Sequence, residues 1–198
     1  MNAARTSRPG FWETLLADVE WSGGPVEVAD ESDPEGWRPS GLELRRVAAC
    51  VTRLGFHATW MYRVSRWLRE HHLTALSGGL TVINQVITGA ELSHNADIGP
   101  GLRILHPVGV YVAAGVKIGF RSTFNQNAAV SKNMNGPSAE PVCGNYLALG
   151  PGAKVMGQIT VGDHVFIGPN SVAIEDVPDG TTVLGVPATP VPEGFRMR

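Results

Sequence analysis

The second half of the chain places an apolar residue at every sixth position over long stretches. The longest unbroken run is Cys143, Leu149, Val155, Val161, Ile167 and Ala173. The same step occurs upstream at Leu92, Ile98 and Ile104, and again at Val112, Ile118, Phe124 and Val130. This period matches neither an α-helix nor an ordinary strand, whereas each six-residue unit of a parallel β-helix forms one flat face and one corner of a coil. The pattern therefore predicts a mainly β fold, a three-sided prism of stacked coils.

The N-terminal part of the chain has helical spacing instead. Four helical patterns follow one another: residues 11–20, the segment from Leu42 to Leu54, residues from about Phe56 to Glu70, and residues from Leu73 to Ile87. Residues 22–40 are rich in Gly, Pro, Asp and Glu without periodicity, which predicts a flexible linker. We therefore expect a helical region over 1–88, a β-helix domain over 89–190 and a tail over 191–198.

Two irregular steps interrupt the six-residue period. The first is eight residues long and contains Leu105, His106 and Pro107. The second is thirteen residues long, so residues 131–141 are expected to leave the prism as a protruding loop. A loop that projects from a rigid scaffold commonly forms the wall of a binding site, although a tolerated insertion is the alternative.

Composition limits the possible partners and the compartment. The formal net charge of −2 gives no indication of nucleic-acid binding. The two cysteines lie in different segments, which favours buried thiols in a reducing compartment over a disulfide framework. No uninterrupted apolar stretch is long enough to span a bilayer. We expect a cytoplasmic protein with no membrane partner.

Several motifs resemble those of the serine acetyltransferases, a family of hexapeptide-repeat acyltransferases. The motifs are GFHATWMYRVSRWL (55–68), ADIGPGLRILHPVGVYV (96–112), LGPGAKVMGQITVGDHVFIGPNSVAIEDVP (149–178) and LGVPA (184–188). The resemblance implies a left-handed parallel β-helix with an N-terminal α-helical segment. It also implies a homotrimer, or a dimer of trimers, with the active site in the groove between neighbouring prisms.

His106 is the strongest catalytic candidate among the six histidines, because it lies inside the eight-residue step. The resemblance places the family's catalytic histidine at His106 and its acidic partner at Glu91. Fifteen residues separate the two, slightly less than one coil, so they should come close around a corner. The implied reaction is direct acyl transfer from acetyl-CoA, or another acyl-CoA, to a hydroxyl. His106 acts as general base, Glu91 orients it, and no metal is expected.

The predicted acceptor pocket departs from the family pattern. The family has an aspartate just before its catalytic histidine, where this chain has Leu105. The family's loop histidine falls on Glu140, and a further substrate aspartate has only a poor match at Asp33. An uncharged Leu105 cannot pair with an ammonium group, so the predicted acceptor is a hydroxylated metabolite other than free L-serine. A true serine O-acetyltransferase of cysteine biosynthesis is the alternative.

The coenzyme A site is expected along the loop and the later coils. The family's glycine-rich loop segment falls on 130–134, so Ser131 and Lys132 are predicted to contact coenzyme A. Lys154 and the turn from Gly185 to Ala188 match segments that flank coenzyme A in the family. The altered loop segment leaves a second hypothesis of another class, a non-catalytic trimeric scaffold.

A metalloenzyme of the γ-carbonic anhydrase type is the third hypothesis. It needs three histidine ligands at positions that the coils bring together. His94, His106 and His164 lack that spacing, so this hypothesis ranks last.

Overall fold

The computed structural model describes residues 9–22, 44–132 and 139–192. Within these ranges, four α-helices precede the strands: α1 (Phe11–Ser22), α2 (Leu44–Val51), α3 (Leu54–Glu70) and α4 (Thr74–Thr88). All four predicted helical patterns therefore correspond to helices. Ser22, the first residue of the predicted linker, is still helical; the rest of that linker falls within 23–43, outside the described residues.

Helices α3 and α4 form an antiparallel pair that is joined by buried hydroxyl groups. The Ser65 hydroxyl donates to the Ser77 carbonyl at 2.7 Å, and the Ser77 hydroxyl donates to the Ser65 carbonyl at the same distance. Gly89 caps the C-terminus of helix α4, and its φ of 75° suits a glycine because L side chains rarely adopt that conformation. In the described part of the chain, no helix has both the length and the apolar character needed to cross a membrane.

Fifteen short strands follow the helices in the part of the chain that the structure describes. They are β1 (Glu91–Leu92), β2 (Asp97–Ile98), β3 (Arg103–Ile104), β4 (Tyr111–Val112), β5 (Lys117–Ile118), β6 (Thr123–Phe124), β7 (Ala129–Ser131), β8 (Val142–Cys143), β9 (Ala148–Leu149), β10 (Lys154–Met156), β11 (Thr160–Val161), β12 (Phe166–Ile167), β13 (Val172–Ala173), β14 (Thr182–Gly185) and β15 (Ala188–Pro190). Through β13, strands that pair are three apart along the chain, and all of these pairs are parallel.

The pairing divides the strands among three sheets, which are the faces of the prism. The first face has the order β1-β4-β7-β10-β13 and the second has β2-β5-β8-β11. The third has β3-β6-β9-β12-β14 and ends with β15, which pairs antiparallel with β14. One coil thus contributes one strand to each face, as the six-residue period predicts.

The core of the prism consists of the side chains that define the period. All thirteen predicted inward residues, from Leu92 to Ala173, are buried. Cys143 is one of them, and both Cys143 and Cys50 are buried free thiols. The prediction of a stacked aliphatic core is therefore confirmed.

The corners of the prism depend on residues with positive φ. The corner between the third and first faces has such residues at Gly89, Gly109, Asn127, Gly152 and Asn170. The corner between the second and third faces has them at Gly101, Arg121, Tyr146, His164 and Gly180. Gly and Asn tolerate this conformation best, which explains why they recur at the first of these corners.

Helix α3 packs against the second and third faces of the first coil. The Tyr62 hydroxyl donates to the Ala96 carbonyl at 2.9 Å and accepts from the Ile98 amide at 3.2 Å. At the start of the helix, a Cβ on Gly55 would lie only 1.9 Å from the Ile104 carbonyl oxygen. The close approach at Gly55 therefore places the helix directly against the backbone of β3.

Candidate active site

The eight-residue step forms a bulge at the corner between the third and first faces, which we call the His106 corner. Hydrogen bonds to the next coil place Leu105 beside Asn125 and Val108 beside Gln126. His106 and the proline that follows it therefore have no counterpart in the next coil. The two extra residues predicted for this step are thus the histidine and its neighbour, and the structure presents His106 as an exposed residue.

Apolar side chains flank His106 at this corner. Leu105 is 42% exposed and Val108 is 61% exposed, so both are accessible in the single chain. The Leu105 amide donates to the Phe124 carbonyl at 2.9 Å, which fixes the backbone beside the histidine. The exposed imidazole of His106 therefore follows a hydrogen-bonded backbone segment and has the side chains of Leu105 and Val108 beside it.

Glu91 lies on the first coil, next to the backbone that follows His106. Its amide donates to the Val110 carbonyl at 2.9 Å, and the Gly109 amide donates to the Gly89 carbonyl at 2.9 Å. This arrangement agrees with the expectation that one coil brings the two segments together around a corner.

The carboxylate of Glu91 has a partner that the sequence analysis missed. The side-chain amide of Gln85 donates to Glu91 Oε2 at 3.1 Å. Within the described residues, no hydrogen bond joins Glu91 to His106, so the predicted bond is not formed in this single chain. Gln85 and Glu91 meet because helix α4 turns directly into β1 at Gly89. The glycine after the helical pattern was the available signal.

Glu140 lies at a different corner, between the first and second faces. A Cβ on Gly115 would come within 2.8 Å of the Glu140 carboxyl carbon, so the two residues are in contact across coils. Strand β4 separates this corner from the His106 corner. A single chain therefore does not bring Glu140 and His106 together.

The loop that contains Glu140 begins one residue later than predicted, after Ser131. Ser131 is the last residue of β7 and pairs with Met156, so it belongs to the first face. Lys132 follows it and is exposed. Residues 133–138 of the loop lie outside the described part of the chain, as does Asp33, the remaining predicted acceptor contact.

The residues predicted to hold coenzyme A lie on two separate parts of the prism. The Lys154 ammonium on the first face donates to the carbonyls of Asn127 and Gly152, the latter at 2.9 Å, and burial lowers the pKa of Lys154. Gly185 and Ala188 pair with each other in the β14–β15 hairpin. Two of the three donor positions of the ammonium are thus already engaged.

The three histidines considered as metal ligands lie at three different corners. His94 follows β1, His106 follows β3, and His164 follows β11, where its ring stacks on Tyr146 at 4.3 Å. Partial burial, and then the charge of Arg69, lower the pKa of His94. Across residues 9–22, 44–132 and 139–192, no group of three or more His, Cys, Asp or Glu side chains could hold a metal ion.

Comparison with known proteins identifies the family. No protein-family model matches the chain. A serine acetyltransferase of Mycobacterium tuberculosis is 31% identical over 165 residues, which cover 83% of this chain and 69% of that protein. One from Helicobacter pylori strain J99 is 35% identical over 136 residues, covering 68% of this chain and 79% of that protein.

A solved structure has the same architecture. A serine acetyltransferase in complex with CoA superimposes with a TM-score of 0.75 at 26% identity, covering 93% of this chain and 71% of that one. The six-residue repeat and the bulge at His106 indicated the same family as the similarity over most of both chains. The chain belongs to the serine acetyltransferase family.

Proposed function

We propose that this protein is an acetyl-CoA-dependent O-acetyltransferase that acylates a hydroxyl of a small metabolite. The observation that carries the proposal is the bulge at His106, which presents an exposed imidazole at a rigid corner. Membership of the serine acetyltransferase family supports acetyl-CoA as the co-substrate, since a relative of known structure binds CoA. The fold we propose is the left-handed form of the parallel β-helix, in a cytoplasmic protein.

The reaction is direct transfer without a covalent enzyme intermediate. His106 takes the proton of the acceptor hydroxyl while the oxygen attacks the thioester carbonyl. The tetrahedral intermediate then expels the thiolate of coenzyme A, which takes the proton from the imidazolium. General base catalysis of this kind contributes about 10²–10⁴-fold, and positioning of the two substrates supplies the remainder.

Glu91 is proposed as the carboxylate that orients His106. A carboxylate hydrogen-bonded to one ring nitrogen selects the tautomer and stabilises the imidazolium that forms during the reaction. The backbone contacts between β1 and the segment after His106 support this role. Because Glu91 Oε2 already accepts from Gln85, Oε1 is the oxygen we assign to the imidazole.

We propose an acceptor other than free L-serine. Leu105 and Val108, the exposed residues beside His106, carry no charge that could pair with an ammonium group. Glu140 is the acidic group proposed to contact an acceptor from another direction. L-serine is the second candidate, and the names of the similar proteins favour it.

A homotrimer is proposed as the active assembly, with a dimer of trimers as its larger form. Glu140 and His106 lie at different corners of one chain, on either side of β4. In a ring of three prisms, the corner with Glu140 can face the His106 corner of the neighbouring protomer. Light scattering during size-exclusion chromatography tests this assembly.

Coenzyme A is proposed to contact Ser131, Lys132, Lys154, Gly185 and Ala188. Lys154 retains one donor position beyond its two carbonyl partners, which suits one contact to a phosphate or carbonyl oxygen. Calorimetric titration of the protein with coenzyme A tests the site. Loss of affinity in Lys132→Ala and Lys154→Ala is the expected result.

The decisive experiment incubates the protein with acetyl-CoA and a panel of hydroxylated acceptors, followed by detection of free thiol. We expect turnover by the wild type and its loss in His106→Ala, while His164→Ala at another corner remains active. Full activity of His106→Ala would overturn the mechanism. If the wild type neither turns over any acceptor nor binds coenzyme A, the protein is a non-catalytic scaffold.

A further inference from the structure

The last turn of α4 is fixed to its surroundings by buried hydrogen bonds. The Asn84 side-chain amide donates to the Ala58 carbonyl on α3 at 2.9 Å. The Thr88 hydroxyl donates to the Asn84 carbonyl at 2.8 Å, and the Ala90 amide donates to the Thr88 hydroxyl oxygen at 3.2 Å. Asn84 and Thr88 are both buried. This network holds the end of the helix in place relative to the start of β1.

Gln85 lies in this fixed turn, next to Asn84, and its side chain bonds the proposed catalytic partner. Its carbonyl accepts from the Gly89 amide at 2.9 Å, and its side-chain amide donates to Glu91 Oε2 at 3.1 Å. An ionised carboxylate only accepts hydrogen bonds and has lone pairs on both oxygens. A donor on Oε2 therefore restricts the rotation of the carboxylate and leaves Oε1 able to accept from an imidazole.

We propose that Gln85 is a positioning residue for acyl transfer, which orients the Glu91 carboxylate toward His106. The proposal rests on the function proposed above for His106 and Glu91. A flexible glutamate side chain loses rotamer entropy when it is held in one geometry. Gln85 restricts the Glu91 carboxylate before the substrates bind, so less of this cost falls on the reaction step.

A purely structural role predicts a different result. Gln85 is exposed, and its hydrogen bond to Glu91 is also exposed. Loss of an exposed hydrogen bond has little effect on folding, so a Gln85 variant should unfold at nearly the wild-type temperature. An effect on kcat without an effect on stability therefore distinguishes positioning from folding.

Gln85→Met is the main test, because methionine has a similar length and helix propensity but no donor. With acetyl-CoA and the best acceptor of the panel, kcat should fall about threefold to tenfold, the range for one hydrogen bond. The KM for acetyl-CoA should not change. Gln85→Lys, which restores a donor, should recover most of the rate. Val86→Met is the matched control in the same turn, since Val86 is 79% exposed, and should keep the wild-type kcat.

A double-mutant cycle identifies the residue through which Gln85 acts. In the Glu91→Ala background, Gln85→Met should cause no further loss of kcat, because the acceptor of its hydrogen bond is gone. The ¹⁵N chemical shifts of the His106 ring give a readout that does not depend on the acceptor. They should move in Gln85→Met in the same direction as in Glu91→Ala.

These experiments distinguish failure of the role proposed for Gln85 from failure of the proposed function. Wild-type kcat and His106 shifts in Gln85→Met, with a clear loss of rate in Glu91→Ala, would overturn the role of Gln85 and leave the proposed function standing. An equal loss from Gln85→Met with and without Glu91 would also overturn it. Full activity in His106→Ala would instead remove the proposed function on which the inference rests.

Discussion

The Asp18 carboxylate and the Arg63 guanidinium form a buried ion pair that joins α1 and α3 to the prism. Arg63 Nε donates to Asp18 Oδ2 at 2.8 Å, and the two side chains are only 4% and 0% exposed. Asp18 Oδ1 also accepts from the amides of Gly101 and Leu102, at 2.9 and 2.8 Å. One carboxylate therefore connects α1, α3 and the first coil.

Removal of one partner of this pair should strongly destabilise the protein. Asp18→Ala leaves the Arg63 charge buried without its counterion, which typically costs about 3–5 kcal/mol. Chemical unfolding followed by circular dichroism measures the loss. Glu70→Ala is the control, because Glu70 is 54% exposed where it meets Arg66 and such a surface pair contributes at most about 1 kcal/mol. Equal losses in the two variants would contradict the structural role given to Asp18.

Gly55→Ala should disturb the contact between α3 and β3. The new Cβ would meet the Ile104 carbonyl oxygen at 1.9 Å, and a backbone atom cannot be displaced as a flexible side chain can. Leu105 and His106 directly follow Ile104 in the sequence, so a shift of the Ile104 backbone would also move His106. Both the melting temperature and the rate of acetyl transfer should therefore fall. Gly79→Ala on α4 is the matched control, because its Cβ would meet nothing within 4 Å. Alanine there should stabilise the helix by about 0.5–1 kcal/mol. A Gly55→Ala variant with the wild-type melting temperature and activity would show that α3 can move away from β3 without loss of stability.

Neither cysteine should react with a thiol reagent in the folded protein. Burial raises the pKa of Cys143 to about 12, and it also raises the pKa of Cys50. The thiolate is the reactive form, so at pH 8 both groups are protonated as well as shielded. Titration with a disulfide reagent should detect no thiol before denaturation and two after it. Rapid labelling of the native protein would refute the buried positions.

Leu105→Asp should improve the use of L-serine. An aspartate beside His106 would supply a negative charge for the ammonium group of serine, which Leu105 does not. We expect a severalfold higher kcat/KM for L-serine, measured by thiol release from acetyl-CoA. L-glycerate is the matched control acceptor, since it has a hydroxyl where L-serine has an ammonium group. The kcat/KM for L-glycerate should not rise in Leu105→Asp. If wild-type protein already uses L-serine efficiently and Leu105→Asp does not, the proposed acceptor class is wrong.

The repeat was readable from the sequence because every coil places one side chain from each of its three faces inside the prism, at the same register as the coil before it. Leu92, Val130 and Ile167 belong to different coils, yet all three are buried for the same reason. The irregular step was equally visible, and the hydrogen-bond register assigns its two extra positions to His106 and Pro107. A local period thus predicted both the scaffold and the position of the candidate base.

Contacts between separate segments were not readable in this way. In the sequence, nothing distinguishes Gln85 from other glutamines on the exposed side of a helix. Only the turn at Gly89 brings its side chain to Glu91. The family resemblance likewise suggested Glu140 and His106, but their positions at different corners become clear only when the coils are stacked. The site therefore depended on geometry that no spacing along the chain encodes.

The sequence by itself determined the parallel coils, the buried aliphatic core and the place of the histidine, because these follow from a repeat that each coil satisfies locally. The tertiary structure alone decided which distant polar groups meet. Asp18 and Arg63 are 45 residues apart, and their pairing requires α1 and α3 to dock on the same coil. Two opposite charges are tolerated in the interior only when that docking brings them together, so no pattern within either helix could have revealed the pair.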